Sequence, residues 1–198
     1  MLDARELPDL SEVFAPPNVG LMPGWYYQTM PTSGLSTLNT LGNGNLRVTP
    51  FAVPRKVRLS RIGAEVTAEG DVGSEIRLGI YADNGFGYPG ALVVDAGVLA
   101  GDVAGVSELM ISTVLKPGLY WVGGAVQGVT STQPTVRTPL TTGSSYIALS
   151  NGSMPAPGYP SAMVIGYNAF GVTGALPTQF QAAPYPTGAA VRVFVKVA

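Results

Sequence analysis

Histidine and cysteine are both absent from the 198-residue chain. Without them there can be no Ser-His-Asp or Cys-His nucleophilic system and no zinc site built on imidazole or thiolate. Disulfides are excluded too, so durability outside a cell would have to come from packing or oligomerisation. Charge is also scarce. Charged residues make up 12% of the chain, against about 25% in ordinary domains. The net charge of −1 shows no basic excess of the kind that attracts nucleic acid. No Asp or Glu follows Glu108, which leaves the C-terminal part without a carboxylate pair. No apolar run reaches eighteen residues, and the first residues lack the basic and then apolar pattern of a signal peptide. The expectation is a chain that neither inserts into a membrane nor carries a Sec export signal.

Glycine and proline are plentiful, with 26 and 17 copies spread throughout. Long helices are disfavoured, because Gly loses backbone entropy and Pro loses a hydrogen bond in a helix interior. Short β-branched runs stand between turn residues instead. In SEIRLGIY, Ile76, Leu78 and Ile80 alternate with Arg77 and Gly79, the period of a half-buried strand. VRVFVKV repeats the pattern with Val191, Val193, Val195 and Val197. In KVRLSRIGAEV, Val57 and Leu59 share one parity while Ile62, Ala64 and Val66 share the other, which predicts a bulge near Ser60 and Arg61. SELMISTVL alternates through Leu109, Ile111, Thr113 and Leu115. After Lys116-Pro117-Gly118 comes GLYWVGGAVQ, where Trp121 is expected in the core. The spacing predicts an all-β fold, an antiparallel β-sandwich of jelly-roll-like form over residues 21–198.

The two ends read differently. Residues 1–20 combine Asp3, Glu6, Asp9 and Glu12 with Leu2, Leu7, Leu10, Val13 and Phe14, and then meet Pro16-Pro17. Isolated apolar side chains on such a segment need a surface to cover, so it reads as an extended N-terminal docking arm. Arg47, Arg55, Lys56, Arg58 and Arg61 form a basic cluster in sequence. From about Gly128 to Gly188, Thr, Ser, Pro and Gly predominate, predicting long loops broken by short strands such as SSYIALS and AMVIGY.

IYADNGFGYPGALVVDAG, Ile80 to Gly97, raises the question of a metal or catalytic loop. Asp83-Asn84-Gly85 is turn chemistry, and Tyr88-Pro89-Gly90 marks a second turn. A calcium loop needs six to eight oxygens, yet after Asp83 no acid occurs until Asp95. The reading is a turn, with no metal and no cofactor. A glycan depolymerase would need two carboxylates about 5 to 10 Å apart. Glu65, Glu69, Asp71, Glu75, Asp83, Asp95, Asp102 and Glu108 are the available acids, most of them at turns or strand ends, so catalysis is not expected. Aromatic rings are the better candidates for contact. Phe86, Tyr88, Tyr159, Tyr167, Phe170 and Tyr185 lie in loops, and Tyr159, Tyr167, Phe170 and Tyr185 are singled out for contact with a glycan or a neighbouring subunit.

The succession RIGAEVTAEGDVGSEIRLGIYADNGFGYPGALVVDAG, then STVLKPGLYWVGGAVQG, then PTVR, is similar to a β-sandwich domain of structural proteins in tailed bacteriophages and phage-like particles. Those proteins are commonly called minor tail or tail fibre proteins. The similarity spans about Pro50 to Arg137, with a looser match at AAVRVFVKV. It implies a non-enzymatic virion component, a fibre, decoration or minor tail protein, assembled in the host cytoplasm. Its partners would be other virion proteins, copies of itself in a homo-oligomer with a trimer favoured, and a host surface glycan. The resemblance supplies no catalytic residues. A carbohydrate-binding, receptor-recognising module is the alternative reading.

Overall fold

The computed structural model describes residues 21–29, 35–38, 41–139, 165–182 and 185–198. Leu2, Leu7, Leu10, Val13, Phe14 and Tyr159 lie outside them, as does SSYIALS. Among the described residues the strands are β1 (Tyr26–Gln28), β2 (Leu35–Leu38), β3 (Leu46–Val53), β4 (Val57–Ala68), β5 (Glu75–Asp83) and β6 (Pro89–Ala100). They continue with β7 (Gly105–Leu115), β8 (Gly118–Gln127), β9 (Thr135–Pro139), β10 (Gly166–Ala169), β11 (Tyr185–Thr187) and β12 (Phe194–Val197).

All pairings are antiparallel and form two sheets. The first contains β2-β9-β4-β7, with β12 sharing one side of β4 and β1 lying beyond β12. The second runs β11-β10-β3-β8-β5-β6. From β2 to β9 the chain crosses between sheets at every step except the β5–β6 hairpin. This gives two four-stranded layers, β2-β9-β4-β7 and β3-β8-β5-β6, the double-sheet arrangement of a jelly roll.

The alternation seen in the sequence is what packs the sheets together. Ile76, Leu78 and Ile80 meet Leu59, Ile62, Ala64 and Val66 in one buried cluster, joined by Val191, Val193, Val195 and Val197 from the C-terminus. The parity change in β4 is a bulge: against β7 the register shifts between Leu59 and Arg61. The bulge lets Leu59 and Ile62 both turn inward.

A second apolar cluster lies on the other face of the second sheet. Leu46, Val48, Tyr81, Trp121 and Ala125 are covered there by Ala169, Val172, Leu176 and Phe180. Trp121 is core, as its sequence position suggests, at 1% exposure. It belongs, however, to this outer cluster, while Tyr120 packs against the inter-sheet core. The covering segment has no period-two signal because it is irregular chain held by specific bonds. Leu92 N donates to Thr178 O (2.9 Å), Phe180 N to Gly90 O (2.9 Å) and Val172 N to Gly44 O (2.8 Å). Gln127 Nε2 donates to Val172 O and Gly174 O, both at 3.0 Å. Gly79 allows the close approach, since a Cβ there would collide with the Leu176 side chain.

One local expectation needs correction. Pro89 opens β6 and does not sit in a second turn: Asp83 pairs with Pro89, and a single turn of residues 84–88 joins the strands. Pro is tolerated at the first position of a strand, where its missing N–H is not required. Of AMVIGY, Gly166 and Tyr167 lie in β10, while Ala162, Met163 and Val164 lie outside the described residues.

Candidate functional site

The acids are largely occupied in holding the scaffold. Asp83 Oδ1 accepts from the N–H groups of Gly85 (2.7 Å) and Gly87 (3.3 Å), and Oδ2 accepts from Trp121 Nε1 (2.9 Å). Asn84 Oδ1 accepts from Phe86 N (2.9 Å) and Tyr88 N (3.4 Å). The positive backbone angles of this turn belong to Gly85 and Gly87, while Asn84 keeps a negative one. This is a side-chain-stabilised turn that also anchors the indole.

Asp95 is bound by the Arg77 fork, Nη2 to Oδ2 at 2.8 Å, and accepts Leu176 N at 3.0 Å, fixing the cover to the sheet. Burial pushes its carboxyl pKa upward, but Arg77 and the N–H groups of Leu176 and Gly97 outweigh this and hold it below the ordinary value. Asp71 clamps the β8–β9 loop through the N–H groups of Thr130, Ser131 and Thr132 and the hydroxyls of Thr130 and Ser131. The Ser131 and Thr130 N–H groups lower its pKa strongly. Glu65 in β4 pairs with Arg137 in β9 at 2.7 Å, and that bond lowers the Glu65 pKa. Asp102 accepts Gly73 N at 2.8 Å. Glu69 and Glu75 flank the β4–β5 connection. Among the described residues no three acids gather as a metal-binding group.

The basic residues that cluster in sequence are dispersed in space. Arg47 is half-buried and donates to Ala189 O, Arg55 donates to Leu21 O (2.7 Å), and Arg61 pairs with Glu108 (3.1 Å). Arg47 sits in β3 of the second sheet and Arg55 and Lys56 lie between β3 and β4, while Arg58 and Arg61 both stand on the outer face of β4, because the bulge between Leu59 and Arg61 resets the alternation.

The aromatic candidates divide into two groups. Tyr167 is half-buried in a ladder of rings, with its centroid 4.9 Å from Tyr88 and 5.2 Å from Trp121. Its role there is packing. Phe170 and Tyr185 stay exposed, at 53% and 55%, and meet edge to face at 5.1 Å. Beside Phe170 is a depression of about 320 Å³ lined by Thr173, Ala175, Pro177 and Gln179 and carrying no charged side chain.

A second surface went unseen in the sequence. On the outside of the first sheet, Tyr26, Gln28, Glu108, Arg192 and Phe194 line a groove of about 620 Å³, with Val106 on its wall. Tyr26 Oη donates to Glu108 Oε2 at 2.7 Å, and its ring meets Phe194 edge to face at 5.7 Å. Arg192 Nε donates to Gln28 Oε1 at 3.0 Å. Phe194 lies over Gly63, where an added Cβ would come within 2.5 Å of the ring. Only the alternation Arg192, Phe194, Lys196 in the last strand hints at this face, and nothing in the sequence pairs it with Tyr26.

Fold and surfaces together define a jelly-roll sandwich with two exposed aromatic faces, most acids among the described residues being tied into turns and ion pairs. No family model, known protein or solved structure matches the chain.

Proposed function

We propose that the protein is a non-enzymatic structural component of a tailed-phage virion: a surface fibre, decoration or minor tail protein. It attaches through residues 1–20 and makes contacts through its exposed rings. The observation that carries this reading is the pairing of Phe170 with Tyr185 beside an uncharged depression, on a scaffold whose acids are used to fasten loops. Exposed rings supply contact area with little rotamer entropy to lose, which suits a surface built for contact. The resemblance read from the sequence of Pro50–Arg137 supports the same reading, as does the low charge, which leaves surface free to be buried against neighbours.

The second reading is a carbohydrate-binding module, favoured by the same ring pair, because the apolar face of a sugar stacks on such rings. One experiment separates the two. Phe170→Ala and Tyr185→Ala are compared with the parent by size-exclusion with light scattering and on a glycan array. Loss of a homo-oligomer assigns the pair to subunit contact, with a trimer favoured. Loss of glycan binding with oligomer size unchanged assigns it to recognition. If both properties survive, the contact role is wrong.

A further inference from the structure

We propose that the groove formed by Tyr26, Gln28, Glu108, Arg192 and Phe194 is a saccharide site selective for a carboxylated sugar. It is separate from the Phe170–Tyr185 surface and does not depend on a virion role.

Three features carry the assignment. The first is a platform fixed in advance. Tyr26 remains 46% exposed although its hydroxyl is held by Glu108, its ring meets Phe194 edge to face and Lys196 lies over the ring. A ring ordered before binding loses little entropy when a ligand stacks on it. Gly63 leaves room for the Phe194 ring against the sheet, and the apolar lining of the groove comes from Tyr26, Tyr27, Phe194 and Val106, an extent suited to one face of a pyranose.

The second feature is the polar lining. Glu108, Gln28 and Arg192 carry planar groups already oriented by neighbours, the arrangement expected where a few polar groups fix a ligand in an otherwise apolar hollow. Arg192 uses Nε on Gln28, and its two terminal nitrogens make no hydrogen bond among the described residues. A guanidinium edge with two free N–H groups matches a carboxylate in bidentate fashion.

The third feature is charge. On this face Arg61 is answered by Glu108 and Arg137 by Glu65, Arg192 adds its field at Glu65, and Lys196 lies over the Tyr26 ring at 5.1 Å from its centroid; neither Arg192 nor Lys196 makes a direct ion pair among the described residues. The local excess is positive on a chain whose net charge is −1, so an anionic ligand is favoured. A peptide adding as a strand is a poor fit, because although β1 ends the sheet among the described residues, the groove opens on the face across β1, β12 and β7 and not along the free side of β1.

The test is calorimetric titration of the isolated full chain with trisaccharides of galacturonate, glucuronate and mannuronate, each beside its neutral methyl ester. At least one acid is expected to bind about tenfold or more tightly than its ester. Arg192→Gln should erase that preference, Arg192→Lys should restore it only in part, and Gly63→Ala should weaken acid and ester alike by displacing Phe194. Melting curves identify any variant that has lost its fold, and Arg192→Lys keeps the test valid if Arg192→Gln does not fold. The proposal is overturned if none of the acids is preferred over its ester, or if the preference survives Arg192→Gln. It is also overturned if the preference is lost in Phe170→Ala while Arg192→Gln retains it. Because the isolated chain is used, these outcomes do not depend on whether the protein enters a particle.

Discussion

The indole of Trp121 donates from Nε1 to Asp83 Oδ2 at 2.9 Å, while the other oxygen of the same carboxylate accepts the N–H groups of Gly85 and Gly87. One acid therefore closes the β5–β6 turn and satisfies the polar atom of the largest buried side chain in the outer cluster. Asp83→Ala leaves the buried indole N–H without its acceptor, at a cost of about 1 to 3 kcal/mol, while the exposed N–H groups of Gly85 and Gly87 can turn to water. Asp83→Asn keeps one acceptor oxygen and should cost less. Urea denaturation of the two variants is expected to rank them in that order. Calcium or a chelator should leave the melting temperature of the parent unchanged, because both oxygens of Asp83 are already engaged.

Acid should destabilise the protein through its structural carboxylates. Asp71, Asp95 and Glu65 all have folded pKa values below their ordinary ones, set respectively by the Ser131 and Thr130 N–H groups, by Arg77 with the Leu176 and Gly97 N–H groups against opposing burial, and by Arg137. A depressed carboxylate contributes stability that is fully present above its unfolded pKa, about 4. That stability is lost as pH falls through the folded value. The urea midpoint should hold steady from about pH 7 to 5 and drop below about pH 4. Asp71→Asn should make that acid limb shallower, and an unchanged limb would remove the loop clamp from the explanation.

The cover over the second sheet gives a spectroscopic prediction. Phe180 is buried and meets Tyr81 edge to face at 5.3 Å. Phe180→Ala should cost about 3 to 5 kcal/mol, as large-to-small changes in a core do, and should shift Trp121 emission to the red as water reaches the outer cluster. Gly79→Val should give the same red shift by pushing Leu176 away. Trp25 is exposed in the parent, so Trp25→Phe in each background isolates the Trp121 signal.

Strand alternation made much of the fold legible. Ile76, Leu78 and Ile80, the four alternating valines from Val191 to Val197, two of them in β12 and two just before it, and the parity break at Ser60 and Arg61 all carry periodic information, because one face of each segment meets the inter-sheet core. β8 was harder to read: Tyr120 and Trp121 are consecutive, and each belongs to a different cluster. A strand covered on both faces has no polar side from which its orientation could be read. Residues 170–182 follow no period, since they are held by individual hydrogen bonds. The site was legible only in part. Phe170 and Tyr185 are exposed, but Tyr185 opens strand β11 and Tyr167 lies in β10, not in loops as expected, and Tyr167 is drawn under Tyr88 onto Trp121. The groove was illegible because Tyr26 and Phe194 come from opposite ends of the chain and meet only when β1 pairs with β12.

Attachment through the first segment can be tested apart from folding. Burying one of Leu2, Leu7, Leu10, Val13 or Phe14 on a partner contributes about 1.5 to 3 kcal/mol, against about 1 to 2 kcal/mol per residue for ordering the backbone. Several must therefore pack well for the segment to hold. Deleting residues 1–19 should leave the melting temperature within a few degrees of the parent while abolishing incorporation into particles. A large fall in melting temperature would mean that the segment belongs to the sandwich.

The central claim is a place in a virion, and imaging tests it most directly. On this proposal a phage encodes the chain, and its particles are to be purified and reconstructed by electron cryo-microscopy, with the parent protein and with the 1–19 deletion. The account predicts a discrete sandwich-sized density at a fixed position and copy number on the parent particles, and none in the deletion. Particles that lack the protein altogether, or carry the truncated form at normal occupancy, would contradict it.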